Sequence, residues 1–377
     1  MFICRRFVQI GTVFLVLAGC ANTAPSGSSQ ARTPEAPIGV TPIRIGPAQP
    51  SGETPAALTP SGKLRPEVQA FAKRLAAERN LPLTPIEAAL SDAHYNATVA
   101  RLIAPSPPGK KIWRSWKTYR ARFVEPKRIK WGVEFWQENE ALLSQAAQRY
   151  GVPASIIASI IGVETLYGRN MGNFRVLDAL TTLAFDYPDP NKPERAEMFR
   201  GQLADFITLS MQDKLEMNAI GSYAGAIGMP QFMPGSIMRY AVDGDGDGHI
   251  KLTSSVNDAI MSVGNFLVEH GWQRGLPVFA PVLLPADPSA LATGGLTPTQ
   301  TWQTLQAAGA RVSAGARIEG WHDHPLGVVD LVEEARGTVQ YRTATPNFFA
   351  LTQYNRSYFY ATAVADLAAA LEARMPH

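Results

Sequence analysis

Apolar positions recur at two different spacings along this chain, and the change from one to the other separates a long helical body from a short strand-bearing insert. Val68, Phe71, Ala72, Leu75 and Ala76 follow the three-and-four spacing of one helix face, which predicts an amphipathic helix over Arg65 to Arg79, closed by Leu81-Pro82-Leu83. Helical spacing then dominates to about residue 270. Past Gly271 the texture changes, with prolines at 277, 281, 285 and 288 and a predicted helix at Pro298 to Ala308. Runs rich in Val, Tyr and Thr at Leu326 to Val332 and Thr338 to Thr343 predict strands. Ala361 to Arg374 predicts a helix returning to the body. The fold class expected is mainly α, α+β. A helical domain spans 63–149, a second helical core 150–275, a small β-containing lobe 276–346 and a C-terminal segment 347–377.

The first residues read differently. Arg5 and Arg6 precede an apolar run from Phe7 through Val16, too short to span a bilayer, which takes roughly 20 apolar residues. Leu17-Ala18-Gly19-Cys20 resembles the bacterial lipoprotein cleavage box, which makes residues 1–19 a signal peptide and Cys20 the acylated first mature residue; the alternative is an ordinary secretory signal with an incidental cysteine. Residue 21 is Ala rather than Asp, which among Gram-negative lipoproteins points to the outer membrane, with the protein facing the periplasm. Eight prolines and no aromatic residue between Ala21 and Pro60 read residues 20–62 as the acylated Cys and a Pro-rich tether that cannot bury enough apolar area to order itself.

Composition narrows the chemistry. Of 377 residues, 46% are hydrophobic, enough for a sizeable core. The formal charge of +3 falls to about +1 once Arg5 and Arg6 leave with the signal, which argues against a nucleic-acid partner. The two cysteines, Cys4 and Cys20, both precede residue 21, so thiol catalysis and zinc ribbons are excluded from the folded body. Ten Lys or Arg against the single acid Glu125 lie between Arg101 and Lys130, interleaved with Trp113, Trp116, Tyr119 and Phe123. That mixture suits either an anionic glycan or a solvated helix face.

One acid stands out by position. Gly151-Val152-Pro153 opens a helix, Ile156, Ile157, Ile160 and Ile161 mark a stripe on it, and Glu164 takes the next place on that stripe. Lost hydration and the negative helix end both favour its protonated form, and such an acid can protonate a leaving oxygen near neutral pH. The bland alternative turns Glu164 to a rim or pairs it with Arg169. A second feature is Asp243-Gly244-Asp245-Gly246-Asp247-Gly248, with Asp243, Asp245 and Asp247 at positions 1, 3 and 5 of an EF-hand-like loop and His249 at position 7, offering its carbonyl. Position 12 is Ser254 rather than Glu, and the next carboxylate is Asp258. Three acids this close favour a hard cation, calcium over magnesium, in a structural role.

Ser159-Ile160-Ile161-Gly162-Val163-Glu164-Thr165, with Gly168-Arg169 and Met171-Gly172, closely resembles the catalytic segment of the membrane-bound lytic murein transglycosylase B family. Leu177-Asp178-Ala179-Leu180, Phe185-Asp186-Tyr187-Pro188, Gly221-Ser222-Tyr223-Ala224-Gly225-Ala226, Gln231-Phe232-Met233-Pro234 and Glu269-His270-Gly271-Trp272 continue the resemblance in order. It implies a lysozyme-like catalytic core over 150–275 that cleaves the β-1,4 bond between N-acetylmuramic acid and N-acetylglucosamine in peptidoglycan glycan strands during cell-wall turnover. Glu164 would be the sole acid and base, and 1,6-anhydro ends would form without water. The resemblance further implies that Tyr119, Ser222, Gln231, Tyr354, Asn355 and Tyr360 line the sugar subsites, that Asp258 closes the calcium loop, and that no organic cofactor is needed. Asp178 and Asp186 read as structural. Two positions depart from the family pattern: Glu194-Arg195-Ala196-Glu197-Met198 keeps one arginine of a pair, leaving Arg195 alone for a stem-peptide carboxylate, and Phe266 stands where the family has a tyrosine, which keeps a ring to stack on sugar and loses a hydroxyl contact. A hydrolytic muramidase and a noncatalytic, calcium-stabilised peptidoglycan-binding lipoprotein are the competing expectations.

Overall fold

The computed structural model describes residues 56–105, 113–316 and 320–375. The signal segment, Cys20 and most of the tether lie outside the described residues. The chain enters through α1 (Pro66–Arg79), α2 (Leu83–Ser91), α3 (Ala97–Ile103), α4 (Trp116–Phe123), α5 (Pro126–Glu138) and α6 (Glu140–Tyr150). Next come α7 (Ala154–Thr165), β1 (Phe174–Arg175), α8 (Val176–Phe185), α9 (Pro193–Met211), β2 (Ile220–Gly221), α10 (Pro234–Tyr240) and α11 (Val256–Glu269). The lobe holds β3 (Val282–Leu283), α12 (Trp302–Ala307), β4 (Arg311–Val312), β5 (Gly327–Glu333) and β6 (Thr338–Ala344), and α13 (Pro346–Tyr354) and α14 (Tyr358–Glu372) return to the body.

Local chemistry sets most of these ends. Asn96, Ser115, Glu125, Ser255, Thr301, Thr345 and Ser357 each cap a helix by accepting backbone N–H groups that have no partner within it. Proline fills the first turn of α1, α5, α9, α10 and α13, where its missing N–H costs nothing. The end of α1 differs from expectation: Asn80, left-handed at φ 51°, terminates it, and Leu83 of the expected closing triplet instead starts α2. Asn tolerates that conformation because its short polar side chain bonds locally.

The isoleucine stripe turns out to belong to a helix enclosed on every side. In α7 every residue from Ser155 to Val163 is buried, and α5, α6, α11 and α14 pack around it. A helix apolar all round belongs at the centre of a large core. One apolar cluster joins Val68 and Leu75 of α1, Phe135 of α5, Ile157 of α7, Leu180 of α8 and Leu367 of α14, so residues 63–149 share their core with those that follow.

The lobe has its own small cluster, with Leu276, Trp302, Leu305, Trp321, Leu326 and Val328 at its centre and the Trp302 and Trp321 rings edge to face at 5.0 Å. Its main ribbon pairs β5 antiparallel to β6, from Gly327 opposite Ala344 to Glu333 opposite Thr338. This ribbon grips the start of α4. The Glu333 carboxylate accepts from Ser115 Oγ at 2.8 Å and from the Lys117 N–H, while Glu334 accepts from Arg114 Nε at 2.6 Å. Asp366 of α14 then binds Arg120 of α4 and Arg342 of β6, each at 2.6 Å. The lobe, α4 and α14 are thereby locked together, and α4 and α14 carry two tyrosines of the site.

Candidate active site

Glu164 lies in the last turn of α7, half-buried beside residues that are fully enclosed. Leu166, Tyr167 and Gly168 follow with φ of 52°, 59° and 79°, so the helix stops abruptly after the acid. Left-handed conformations at two non-glycine residues cost energy and persist only where packing holds them. Here the Tyr167 ring provides that packing by folding back between α5 and α7. A Cβ at Gly132 or Gly162 would fall 2.3 Å or 2.5 Å from the Tyr167 hydroxyl, so both positions must lack a side chain. Thr165 Oγ completes the turn, lying 3.1 Å from the Ile161 carbonyl and 3.0 Å from that of Met229, and accepting from Gly168 N at 3.0 Å.

Around the carboxyl stand phenols. Tyr360 donates from its hydroxyl to Glu164 Oε1 at 2.6 Å. Its ring stacks on Tyr354 at 6.3 Å, and Tyr354 donates to the Pro230 carbonyl at 2.6 Å. Tyr119 packs against Trp116, Phe123 and Phe359. Burial raises the pKa of all three tyrosines, and the nearby Glu164 charge raises them further, so they stay neutral hydroxyls. Burial also pushes Glu164 up to about 7, against the Tyr360 hydrogen bond and the Arg128 charge, which both pull it down. The result is a carboxyl that can hold or release its proton near neutrality. Arg169 does not neutralise it, because its guanidinium sits over Trp131 and 3.9 Å from Glu134.

The loops after α7 pack on one another and on Thr165, the neighbour of this acid. Gly172 abuts the Gly221 carbonyl, and Gln231, at φ 52°, donates from Nε2 to the carbonyls of Met171 (3.2 Å) and Gly228 (3.0 Å). Ser222 caps no helix; its Oγ accepts from Ala226 N and Ala224 N in a tight turn after β2. Asn355, half-buried and extended, follows α13. Arg195 lies in the first turn of α9, hydrogen-bonded to Tyr187, whose proximity also bears on Tyr223 beside Ser222. Phe266 departs from expectation. It is 1% exposed and packs among Phe232, Tyr240, His270 and Tyr354, so it presents no face to a sugar. The inward side of α11 carries it, and its role is to support Tyr354. Asp178 and Asp186 are spoken for by structure: Asp178 accepts from His94 N at 2.9 Å, and Asp186 pairs with Arg65 at 2.8 Å.

Arg128 escaped the reading of the sequence, where it counted only as one of ten basic residues. The legible signal was its place with Ile129, Gly132 and Phe135 on the apolar face of α5, all four buried.

In the acidic loop, carboxylate oxygens of Asp243, Asp245 and Asp258 lie within 4.8 Å of one another. That spread is about twice a calcium–oxygen distance of ~2.4 Å, and an all-carboxylate donor set suits a hard cation. Asp258 is buried and accepts from Gly244 N (2.9 Å) and Lys251 N (2.6 Å), which ties the loop to the first turn of α11 and leaves lone pairs over. Asp243 accepts from the N–H groups of Gly246, Asp247 and Gly248, so the glycines shape the loop around it. Asp247, expected as a ligand, stands apart. Its carboxylate pairs with Lys251 Nζ at 2.7 Å, because the ammonium four residues on supplies a nearer counter-charge. His249 is exposed, and its N–H donates to Asp247 Oδ1 at 2.8 Å.

The model of the family described as Transglycosylase SLT domain matches residues 63–369. Membrane-bound lytic murein transglycosylase B of Escherichia coli K12 is 34% identical over an alignment of 395 positions, covering 97% of this chain and 98% of that protein. The crystal structure of soluble lytic transglycosylase SltB1 from Pseudomonas aeruginosa is similar at a TM-score of 0.72 and 39% identity, over 82% of this chain and 99% of that one. A structure of E. coli lytic transglycosylase Slt35 in complex with calcium is similar at 0.70 and 36%, over 82% of this chain and 93% of that one.

Proposed function

The chain belongs to the transglycosylase SLT family and is a lytic transglycosylase, a lyase-type enzyme acting on peptidoglycan; from that premise we propose that Glu164 is its single acid and base. The observation that carries this reading is a carboxyl raised to about 7 by burial and held at Oε1 by Tyr360. Among the described residues, the side chains that shift its pKa are Tyr360 and Arg128, neither of them a carboxylate. Two-carboxylate glycosidases need their second acid to activate water or to attack the sugar. A single carboxyl suffices when the nucleophile belongs to the substrate.

The protonated Glu164 gives its proton to the oxygen of the β-1,4 bond between N-acetylmuramic acid and N-acetylglucosamine, and the bond from the muramic anomeric carbon to that oxygen breaks. The muramic acid's own 6-hydroxyl oxygen then bonds to the anomeric carbon. Its proton returns to Glu164, so the acid is regenerated, a 1,6-anhydro end forms and no water is consumed. Tyr360 stabilises the carboxylate that exists between the two transfers by donating to Oε1. Tyr119, Tyr354, Ser222, Gln231 and Asn355 line the sugar path, and Arg195 takes a stem-peptide carboxylate.

Asp243, Asp245 and Asp258 would hold calcium, with the His249 carbonyl as a further oxygen donor; the ion would offset their mutual repulsion and pin the loop to α11. Cys20 carries the lipid that tethers the enzyme to the outer membrane, facing the periplasm; among the described residues no helix is long and apolar enough to cross a membrane. The noncatalytic reading is corrected by family membership. Digestion of purified sacculi in ¹⁸O-water, followed by mass spectrometry, tests the chemistry. Anhydro ends free of ¹⁸O are expected, and reducing ends carrying ¹⁸O would show a muramidase instead.

A further inference from the structure

One buried guanidinium joins the two helices that carry Glu164 and Tyr119. Arg128, in the first turn of α5, is 6% exposed. Its Nη1 donates to the Gly162 carbonyl near the end of α7, and its Nη2 donates to the Arg122 carbonyl at the end of α4, at 3.2 Å. The head lies 5.2 Å from the centre of the Phe123 ring, and the Glu125 carboxylate holds the Arg128 backbone N–H at 2.6 Å. An arginine fork can bind two carbonyls at once where lysine's single ammonium cannot match the geometry.

We propose that Arg128 is a positioning residue for the reaction: it fixes the ends of α7 and α4 relative to each other, and its charge at the negative end of α7 stabilises the Glu164 carboxylate left after proton transfer. The inference rests on the reading of Glu164 as the acid. Burying a cation costs free energy that an apolar side chain on this face would avoid. Indeed burial lowers the pKa of Arg128 itself, opposed by Tyr167, Glu125 and Glu164.

The other groups acting here are mostly uncharged. Tyr119 of α4, Tyr354 of α13 and Tyr360 of α14 face Glu164 as phenols, and Tyr167, in the turn after α7, lies against Arg128; burial raises the pKa of all four. Arg122 bears on Tyr119, and Glu125 on Arg128. Arg128 is thus the fixed charge that opposes the upward push of burial on Glu164.

The test is the pH dependence of turnover on soluble, uncrosslinked glycan strands, for the full chain and for Arg128→Gln, Arg128→Lys and Glu164→Gln. The first step needs protonated Glu164, so activity falls as pH rises through its pKa. Removing the cation favours the protonated form and moves that falling limb to higher pH. Arg128→Gln is expected to show the larger upward move and a kcat at least tenfold lower, with little change in KM. Arg128→Lys keeps a charge at shorter reach, and its limb should lie between the two. Should Arg128→Gln fail to fold, the milder lysine variant still carries the test. A limb at the wild-type pH in every folded variant would overturn the proposal, even if melting temperatures drop. Glu164→Gln separates the two failures. If it still cleaves, the acid is misassigned; if it is inactive while the limb stays fixed, only the role of Arg128 is wrong.

Discussion

Glu164 stands among phenols at the end of an enclosed helix, whereas Asp243, Asp245 and Asp258 stand together where a loop meets α11 near the surface. Both places gather side chains around carboxylates, but the solvation differs and so does the chemistry. At Glu164 the neighbours are mostly rings that displace water, so the cost of charge is met by binding a proton. In the loop, backbone N–H groups donate to the carboxylates of Asp243 and Asp258, and a metal cation is the ligand that would lower their mutual repulsion. Burial tunes a carboxyl for protons, and clustering tunes carboxyls for cations.

The largest expected effect comes from removing the proton carrier. Glu164→Gln keeps the shape but cannot shuttle a proton, and should slow lysis of purified sacculi by roughly 10²- to 10⁴-fold, the usual range for an acid–base group, or more because it serves both steps. Turbidity of sacculi is the readout, and an unchanged rate would rule Glu164 out as the proton carrier.

The same variant should be more stable than wild type at alkaline pH. The folded pKa of about 7 lies above the ordinary 4.5, so Glu164's favourable contribution is fully present below about 4.5 and lost as pH rises through 7. The stability gap between Glu164→Gln and wild type should therefore widen from pH 4 to pH 8 by at most about 3.5 kcal/mol, from ~1.4 kcal/mol per pK unit. Urea unfolding at both pH values measures it, and a constant gap would mean an ordinary, solvated glutamate.

Tyr360→Phe sharpens the contrast by removing the hydroxyl that holds Glu164 Oε1. A hydrogen bond to a charged group contributes about 1.5–3 kcal/mol, so kcat should fall about 10- to 100-fold. The falling limb of the pH profile should move upward, since the lost bond had favoured the carboxylate.

Smallest is the effect of emptying the loop. At tenfold excess over Kd, calcium would stabilise by about 1.4 kcal/mol. Chelator should then lower the melting temperature by at most about 3–6 °C, at the ~2–4 °C per kcal/mol of domains of about 150–250 residues. Asp258→Ala should abolish that response while Glu164→Gln retains it. If chelator stops turnover without changing the melt, the loop is not merely structural.

The distribution of these features in the sequence explains what could be read from it. The strands at 327–333 and 338–344 and the closing helix were legible because composition and spacing are local properties. Glu164 was legible as an acid on an apolar stripe, although four isoleucines could not reveal that the helix is enclosed on every side. Phe266 illustrates the limit: resemblance gave it a place in the cleft, but which way α11 faces depends on packing against Phe232, Tyr240 and Tyr354, which are remote in sequence. Asp247 was read as a ligand from its spacing alone, and its pairing with Lys251 is a choice among nearby charges that spacing does not encode. Arg128 was hidden because a count of basic residues does not distinguish an exposed cation from one bridging two helix ends.

Titration of the Glu164 carboxyl tests the central claim most directly. In protein carrying ¹³C-labelled glutamate, the Glu164 signal is identified by its absence in Glu164→Gln and followed from pH 3 to pH 9. A midpoint near 7 is expected from burial opposed by Tyr360 and Arg128. A midpoint near the ordinary 4.5 would leave the carboxyl ionised at neutral pH, with no proton to give to the leaving oxygen, and would contradict the assignment of Glu164 as the acid.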